Sequence, residues 1–315
     1  GTIARILLNG TGIFHFARQW QPTTEVIILQ VRLPVVVGTA LVGAALAVAG
    51  VLFQAILRNP LADPFLIGTS SGAALGAAIA FVLPFDTVYG AFFPLTSLFA
   101  FVGALGTILF VYLLARSGGE TPVVTLILAG VVVNAVLVAV QTTLLTLAPH
   151  SQFGGIAALF TWLSGGVSVV NWSPVLLTGA LIVPGIVLAL SLAGVLDAFG
   201  LGEESVAYLG LHVERYKLLV IALASLITAA AVSISGLIGF VGLVTPHVMR
   251  LLLGPRHRLL LPSSAVGGAI FLVLADLLAR VAIAPSMLPV GIFTALVGAP
   301  FFLFLLKNSK RAYRW

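Results

Sequence analysis

The 315-residue sequence contains no cysteine, which excludes disulfides and thiolate metal sites. Charge is scarce as well. Only 8% of residues are charged, against about 25% in an ordinary soluble domain. The three lysines are Lys217, Lys307 and Lys310, and none follows a glycine. A phosphate-binding loop needs that Gly-Lys step, because its backbone amides and lysine hold the phosphates together. The chain therefore has no such motif for hydrolysing ATP. Acids are nearly missing from the apolar runs, where each would cost about 2.5–3.5 kcal/mol to insert. Asp276 is the one acid clearly inside a run, which argues against a proton-coupled carrier or ion channel, the rival class of transporter. No two histidines stand at ligand spacing on one helix. His247 reads as a hydrogen-bonded structural residue rather than a metal ligand. The sequence begins at Gly1 and carries no signal-peptide pattern.

What is abundant is apolar surface. Hydrophobic residues make up 60% of the chain and mean hydropathy is +1.21. The runs are too continuous for a membrane barrel, whose strands alternate in polarity. The expected fold class is all-α, a polytopic membrane helical bundle in one domain spanning residues 1–315. A spanning helix needs about 20 apolar residues. Nine spans are expected: 33–57, 68–83, 90–115, 123–147, 175–195, 218–235, 242–253, 262–283 and 290–306. The second and seventh are short and adjoin segments broken by Gly and Pro. In transporters such interrupted helices point to the transport pathway.

Lys and Arg placement sets the orientation. Alternating the loops gives one side eleven: Arg58, Arg116, Arg215, Lys217, Arg250, Arg256, Arg258, Lys307, Lys310, Arg311 and Arg314. The other receives four: Arg5, Arg18, Arg32 and Arg280. The first side is expected in the cytoplasm, including a basic tail at 307–315. The net charge of +6 is thus topological, and nucleic acid is not an expected partner. Residues 1–31 become an external segment, and the odd number of spans implies a ten-span parent lacking its first helix here.

Residues 50–72, GVLFQAILRNPLADPFLIGTSSG, break every rule of a plain membrane helix. Freed backbone groups are tolerated in the bilayer only against protein or a water-filled cavity. This stretch is therefore expected to face other helices or a passage. Its Gly68–Gly72 tail fits the nucleophile pattern G-x-S-x-G, but that pattern has meaning only at a strand-to-helix turn of a hydrolase sheet, and here it opens a membrane span in a chain with no such sheet. Small residues, among them Gly43, Ala47, Gly50, Gly72 and Gly76, permit close helix approach. Asn134 and Gln141 lie seven apart, near one face. They either line a polar passage or join helices by hydrogen bonds. Asp276 precedes Arg280 by four, the spacing of a favourable helical pair. The segment 196–216 holds four of the nine acids, with a short helical pattern at 203–211. An acidic, structured loop on a basic side suggests a docking surface.

Read together, the motifs resemble the FecCD family, the membrane permease subunits of ABC importers for iron chelates, haem and cobalamin. The residues that carry the resemblance run from Arg32-Leu33-Pro34 to Gly298 and Pro300. Between them lie Gly43, Ala49-Gly50 and Gln54; Arg58-Asn59-Pro60-Leu61-Ala62-Asp63-Pro64; Leu128-Ala129-Gly130; Trp162 and Gly165; Gly202-Glu203 and Leu209-Gly210; Gly239-Phe240-Val241-Gly242-Leu243; Pro246-His247 and Arg250; Ala275-Asp276; and Leu288-Pro289-Val290-Gly291.

The resemblance implies ten spans per subunit, a second permease copy (a homodimer or a paired homologue) and location in a bacterial or archaeal cytoplasmic membrane. It implies an ATPase dimer that binds ATP and magnesium, and a solute-binding protein. This chain would need no cofactor of its own and catalyse no reaction. By resemblance, Asn59 and Leu61 narrow the cytoplasmic end of the passage, with Gln54, Asn134 and Gln141 as further lining candidates. Gly202, Glu203, Glu204, Leu209 and Gly210 form the coupling segment that the ATPase receives. Arg32 and Arg280, the latter oriented by Asp276, dock the binding protein. The expected cargo is a ferric siderophore, then haem, then cobalamin. Two positions depart from the pattern. Cobalamin-importing members carry an arginine three residues after Arg32, where this chain has Val35. The loop commonly G-x-D-H-R is here Gly254-Pro255-Arg256-His257-Arg258, with a base in place of the acid.

Overall fold

The computed structural model describes residues 2–10, 17, 19–82, 94–148, 153–169, 171–283 and 286–309. Residues 90–93 of the third expected span and 310–315 of the basic tail lie outside the described residues. The elements are α1 (Thr2–Gly10), α2 (Pro22–Val26), a π-turn (Ile27–Arg32), α3 (Leu33–Ile56), a 3-10 turn (Pro64–Ile67), α4 (Thr69–Val82), α5 (Leu95–Ala115) and α6 (Val123–Leu147). They continue as α7 (Phe153–Leu163), α8 (Trp172–Ser191), α9 (Ala193–Leu201), α10 (Glu203–Tyr208), α11 (Val213–Ser235), α12 (Val241–Leu253), α13 (His257–Val281) and α14 (Val290–Ser309). Among the described residues, the sole strand-like pairing is one bridge between Ser117 and Glu120.

The fold is the expected helical bundle. Among the described residues six helices are long and apolar enough to span a membrane, and α4, α12 and α14 are shorter apolar helices. Every expected span coincides with one of these nine. One boundary differs materially. Residues 22–32, expected within an external segment, are helical and run unbroken into α3 as a 35-residue rod, Pro22–Ile56. At 1.5 Å per residue that rod is about 52 Å long, well beyond the roughly 30 Å of hydrocarbon. Arg32 interrupts the hydropathy there but does not break a helix, whereas Pro22 is well placed to start one. Helices α11 and α13 likewise begin five residues before the expected span, because their first turns are polar. The outer stretch 148–173 contains α7.

Helix α3 is the axis of the bundle. It packs on α13, α11, α12 and α8, and it is buried continuously from Ala45 to Leu57. Two glycines make this approach close. A methyl at Gly43 would strike the backbone of Gly268 on α13, and one at Gly50 would strike Gly242 on α12. On the other side α4 packs along α5, where Gly72 and Gly76 meet Gly103 and Phe99 in the same way. Between lipid-facing helices there is no hydrophobic gain to be had, so such small-residue contacts and their dispersion energy hold the bundle.

Candidate functional site

At the arginine-rich end, α3 stops in a turn that rebuilds hydrogen bonds residue by residue. Arg58 takes a left-handed conformation, φ 48°, uncommon for a residue with a Cβ. Asn59 N–H donates to Gln54 O (3.1 Å), and the Asn59 Oδ1 accepts from Leu61 N–H (2.9 Å). Asp63 Oδ1 accepts from Phe65 N–H (2.9 Å), starting the 3-10 turn as a capping acid does. Gly68, at φ 85°, then redirects the chain into α4. Thr69 Oγ1 donates back to Pro64 O (2.9 Å) and Ser71 Oγ to Gly68 O (3.0 Å), so these two hydroxyls of the G-x-S-x-G stretch serve the turn. Burial pushes the Asp63 carboxyl up to about 6, although the Phe65 N–H pulls it down.

Gln54 is expected from the sequence to line a passage, but the structure places it inside the protein, 3% exposed. Its Nε2 donates to Gly242 O (3.3 Å) and Ala62 O (3.4 Å), and its Oε1 accepts from Arg250 Nη2 (2.9 Å). It ties the end of α3 to the Asn59–Ala62 turn and to α12. Gln54 also lines a cavity of about 470 Å³ at this end of the bundle. Asn59 and Leu61 are half-buried at the rim of the same turn. Asn134 is exposed on α6 and lines a cavity of about 420 Å³ with Asp63, Ser70 and Phe240. Gln141 is half-buried, and among the described residues neither amide reaches another helix. Phe240, in a left-handed conformation at φ 68°, opens α12 and rests on Gly298 of α14.

The acidic segment forms α10, six residues bracketed by glycines. Gly202 sits at φ 116° before it and Gly210 at φ 74° after it. Leu211 N–H bonds Val206 O and Gly210 N–H bonds Ala207 O, a Schellman ending that only a left-handed glycine makes without strain. Val206 is fully buried, while Tyr208 and Leu209 are 88% and 66% exposed. A helix this short is not stable by itself. It is held by Lys217, which the sequence reading counted only as a topological charge. Lys217 is 2% exposed, and its Nζ reaches Glu203 Oε1 (2.9 Å), Glu214 Oε1 (2.8 Å) and Thr121 O (3.1 Å). Glu214 Oε2 in turn accepts from Thr121 N–H (3.1 Å), so the network joins α10, α11 and the start of α6. Of the two candidate acids, Glu203 holds the helix in place and Glu204 faces outward. A lysine at the fifth position of α11, three residues after Glu214, was the available signal.

At the opposite end, Arg280 forms a bidentate pair with Asp276, Nε to Oδ2 at 2.7 Å and Nη2 to Oδ1 at 2.9 Å. The carboxylate is buried and the guanidinium partly exposed, so Asp276 orients Arg280. Arg32 lies exposed on the same cavity of about 790 Å³, which Val35 and Trp162 also line. His247 departs from the expected hydrogen-bonded role. Its Nδ1 is buried without a partner, and the ring meets Phe301 edge-on at 6.1 Å.

Comparison with known proteins agrees with this architecture. The family model described as the FecCD transport family matches residues 2–308. The cobalamin import system permease protein of Halobacterium salinarum is 44% identical over 288 residues, covering 91% of this chain and 75% of that protein. The hemin transport system permease protein of Yersinia pestis is 40% identical over 287 residues, covering 90% and 83%. A solved inward-facing conformation of a metal-chelate type ABC transporter superposes with a TM-score of 0.83 at 31% identity, over 98% of this chain and 96% of that one. With the interrupted helices, the braced short α10 and a match along almost its whole length, the chain belongs to the FecCD transport family.

Proposed function

We propose that the chain is the permease subunit of an ABC importer that carries a metal chelate across a bacterial or archaeal cytoplasmic membrane. The observation that carries this reading is α10. It is short, clamped from behind by Lys217, and presents Glu204, Tyr208 and Leu209 outward at the arginine-rich end. Such a rigid knob suits a cleft in an ATPase. The ATP and magnesium would be bound there, by a partner dimer. Movement of α10 reaches the Arg58–Asp63 turn directly, because the Arg58 guanidinium lies over Gly202. Asn59 and Leu61 then act as the gate through the set of that turn.

The second copy of the chain would cover α6, whose exposed Val131, Val132 and Val136 surround Asn134. A solute-binding protein would dock on Arg32 and Arg280, whose charge steers an acidic partner and fixes its register. The relatives named for cobalamin and hemin support a bulky chelate as cargo. A ferric siderophore remains the first candidate, ahead of haem and cobalamin. The test is uptake by vesicles containing this chain, its ATPase and its binding protein. Uptake that needs ATP and the ATPase supports the reading. Uptake driven by an ion gradient with the ATPase removed contradicts it.

A further inference from the structure

Beside α10 the arginine-rich end holds a cavity of about 470 Å³ with an unusual balance of charge. Arg58, Arg250 and Arg256 all line it, against a single carboxylate, Asp197. That carboxylate is already engaged. Its Oδ1 accepts from His257 N–H (3.0 Å) and meets His257 Nδ1 (2.7 Å). Arg250 gives Nη2 to Gln54, but its Nη1 is buried with no partner. An orphaned guanidinium N–H is costly, because it has given up water without receiving an acceptor. Arg58 and Arg256 are exposed and pair with no carboxylate among the described residues. The left-handed backbone at Arg58 aims its guanidinium across the cavity wall at Gly202.

Three guanidiniums surround one concavity, and one of their N–H groups, Arg250 Nη1, is buried with no partner among the described residues, so the cluster lacks an acceptor with several oxygens. We propose that this cavity is an oxyanion site that takes a phosphate group. Guanidinium forks match phosphate oxygens two at a time, which suits this cluster better than a halide or a lone carboxylate. The volume falls within the roughly 300–1,000 Å³ of small-molecule sites, so the phosphate enters with the group that carries it. Leu201, exposed, lines the cavity, and the exposed Leu251 and Leu252 follow Arg250 directly in the chain. Basic pockets between membrane helices with apolar flanks hold the headgroups of anionic lipids. Free phosphate is the other source of the same chemistry. The assignment stands apart from the choice of cargo.

The test is a melting titration of the purified permease in neutral detergent. One arm adds inorganic phosphate against chloride at matched ionic strength. The other adds short-chain phosphatidylglycerol against phosphatidylcholine. Saturable stabilisation by phosphate and phosphatidylglycerol is the expected result. Stabilisation by phosphatidylglycerol alone assigns the site to a lipid headgroup, and by phosphate alone to the free ion. The Arg58→Gln, Arg256→Gln double variant should raise the half-saturating concentration about tenfold or more for each guanidinium lost. Both side chains are exposed, so the fold should survive. If the double variant fails to fold, Arg256→Gln alone gives the same reading at half the effect. No stabilisation in either arm overturns the proposal, as do equal effects from chloride and phosphatidylcholine or an unchanged titration in the variant.

Discussion

Helices α11 and α6 are both long, uncharged through their centres and apolar enough to span a bilayer, yet they occupy opposite environments. In α11, 78% of the most apolar window is buried inside the subunit; in α6 the figure is 17%, although α6 is the more hydrophobic. Hydropathy therefore says which segments enter a membrane but not which lie inside the bundle. Side-chain size says more. Among the large aliphatic groups buried on α11 stand Ala224, Ser225, Ala229-Ala230-Ala231, Ser233 and Ser235, small residues that let neighbours approach. Three of its hydroxyls close onto their own helix: Thr228 donates to Ala224 O (2.7 Å), Ser233 to Ala230 O (2.8 Å) and Ser235 to Ala231 O (2.9 Å). The outer face of α6 is Val131, Val132, Val136 and Val140, large groups that need a cover from outside the subunit. Close packing in the absence of a hydrophobic gain is what selects the inner helices.

The strongest way to break this contrast is to enlarge a contact at the axis. Gly50→Val would push a side chain into the Gly242 backbone. A loss of about 3 kcal/mol or more is expected, since two backbones would have to separate. Size-exclusion chromatography in detergent should show little monodisperse protein. A normal elution profile and melt would mean that the α3–α12 approach is not tight.

Next in size is Lys217→Met, which leaves Glu203 and Glu214 facing each other without their cation. Breaking a buried pair costs about 3–5 kcal/mol, but both carboxylates here are partly exposed. Solvent reduces the expected loss to about 1–2 kcal/mol. Limited proteolysis should cut first around α10, whose anchor is gone. Cleavage at the wild-type rate would separate α10 from this network.

Asp63 offers a milder test in the turn outside the spanning helices. Asp63→Ala removes the acceptor for Phe65 N–H, worth about 1 kcal/mol as a cap, whereas Asp63→Asn keeps an acceptor. The two variants should melt in that order. Since the folded carboxyl titrates near 6 rather than 3.8, its neutral form favours folding. That contribution is complete below pH 3.8 and is lost as pH rises through about 6. Asp63→Asn should flatten the pH dependence of melting across that window. An unchanged slope would show that the carboxyl titrates normally.

The smallest effect on stability should come from α6. Val132→Asn with Val136→Asn alters the exposed face and should change the melt of one subunit by less than about 0.5 kcal/mol. Native mass spectrometry should nevertheless show fewer paired copies. Undiminished pairing would place the second copy elsewhere.

These contrasts also mark how far the sequence could be read. The nine apolar runs were legible because length and hydropathy are local properties. The Asp276–Arg280 pair was legible because i,i+4 spacing is fixed within one helix. The hydrogen bonds of Gln54 were not legible because its partners, Gly242 and Arg250, are nearly 190 and 200 residues away in sequence. Lys217 was overlooked for the same reason, with Thr121 nearly 100 residues earlier. The helical run before Leu33 was read as an external segment because Arg32 resembles a membrane boundary. A charge ends an apolar run without ending a helix.

The central claim is that α10 transmits the work of an ATPase to the Arg58–Asp63 turn. The most direct measurement is chelate uptake, with ATPase stimulation, by vesicles carrying Glu204→Lys with Tyr208→Ala. Both side chains point away from the Lys217 network, so melting should stay at the wild-type temperature. Uptake and stimulation should fall together, about tenfold or more, as expected when about 1.4 kcal/mol or more of docking energy is removed. Wild-type uptake by that folded variant would contradict the account.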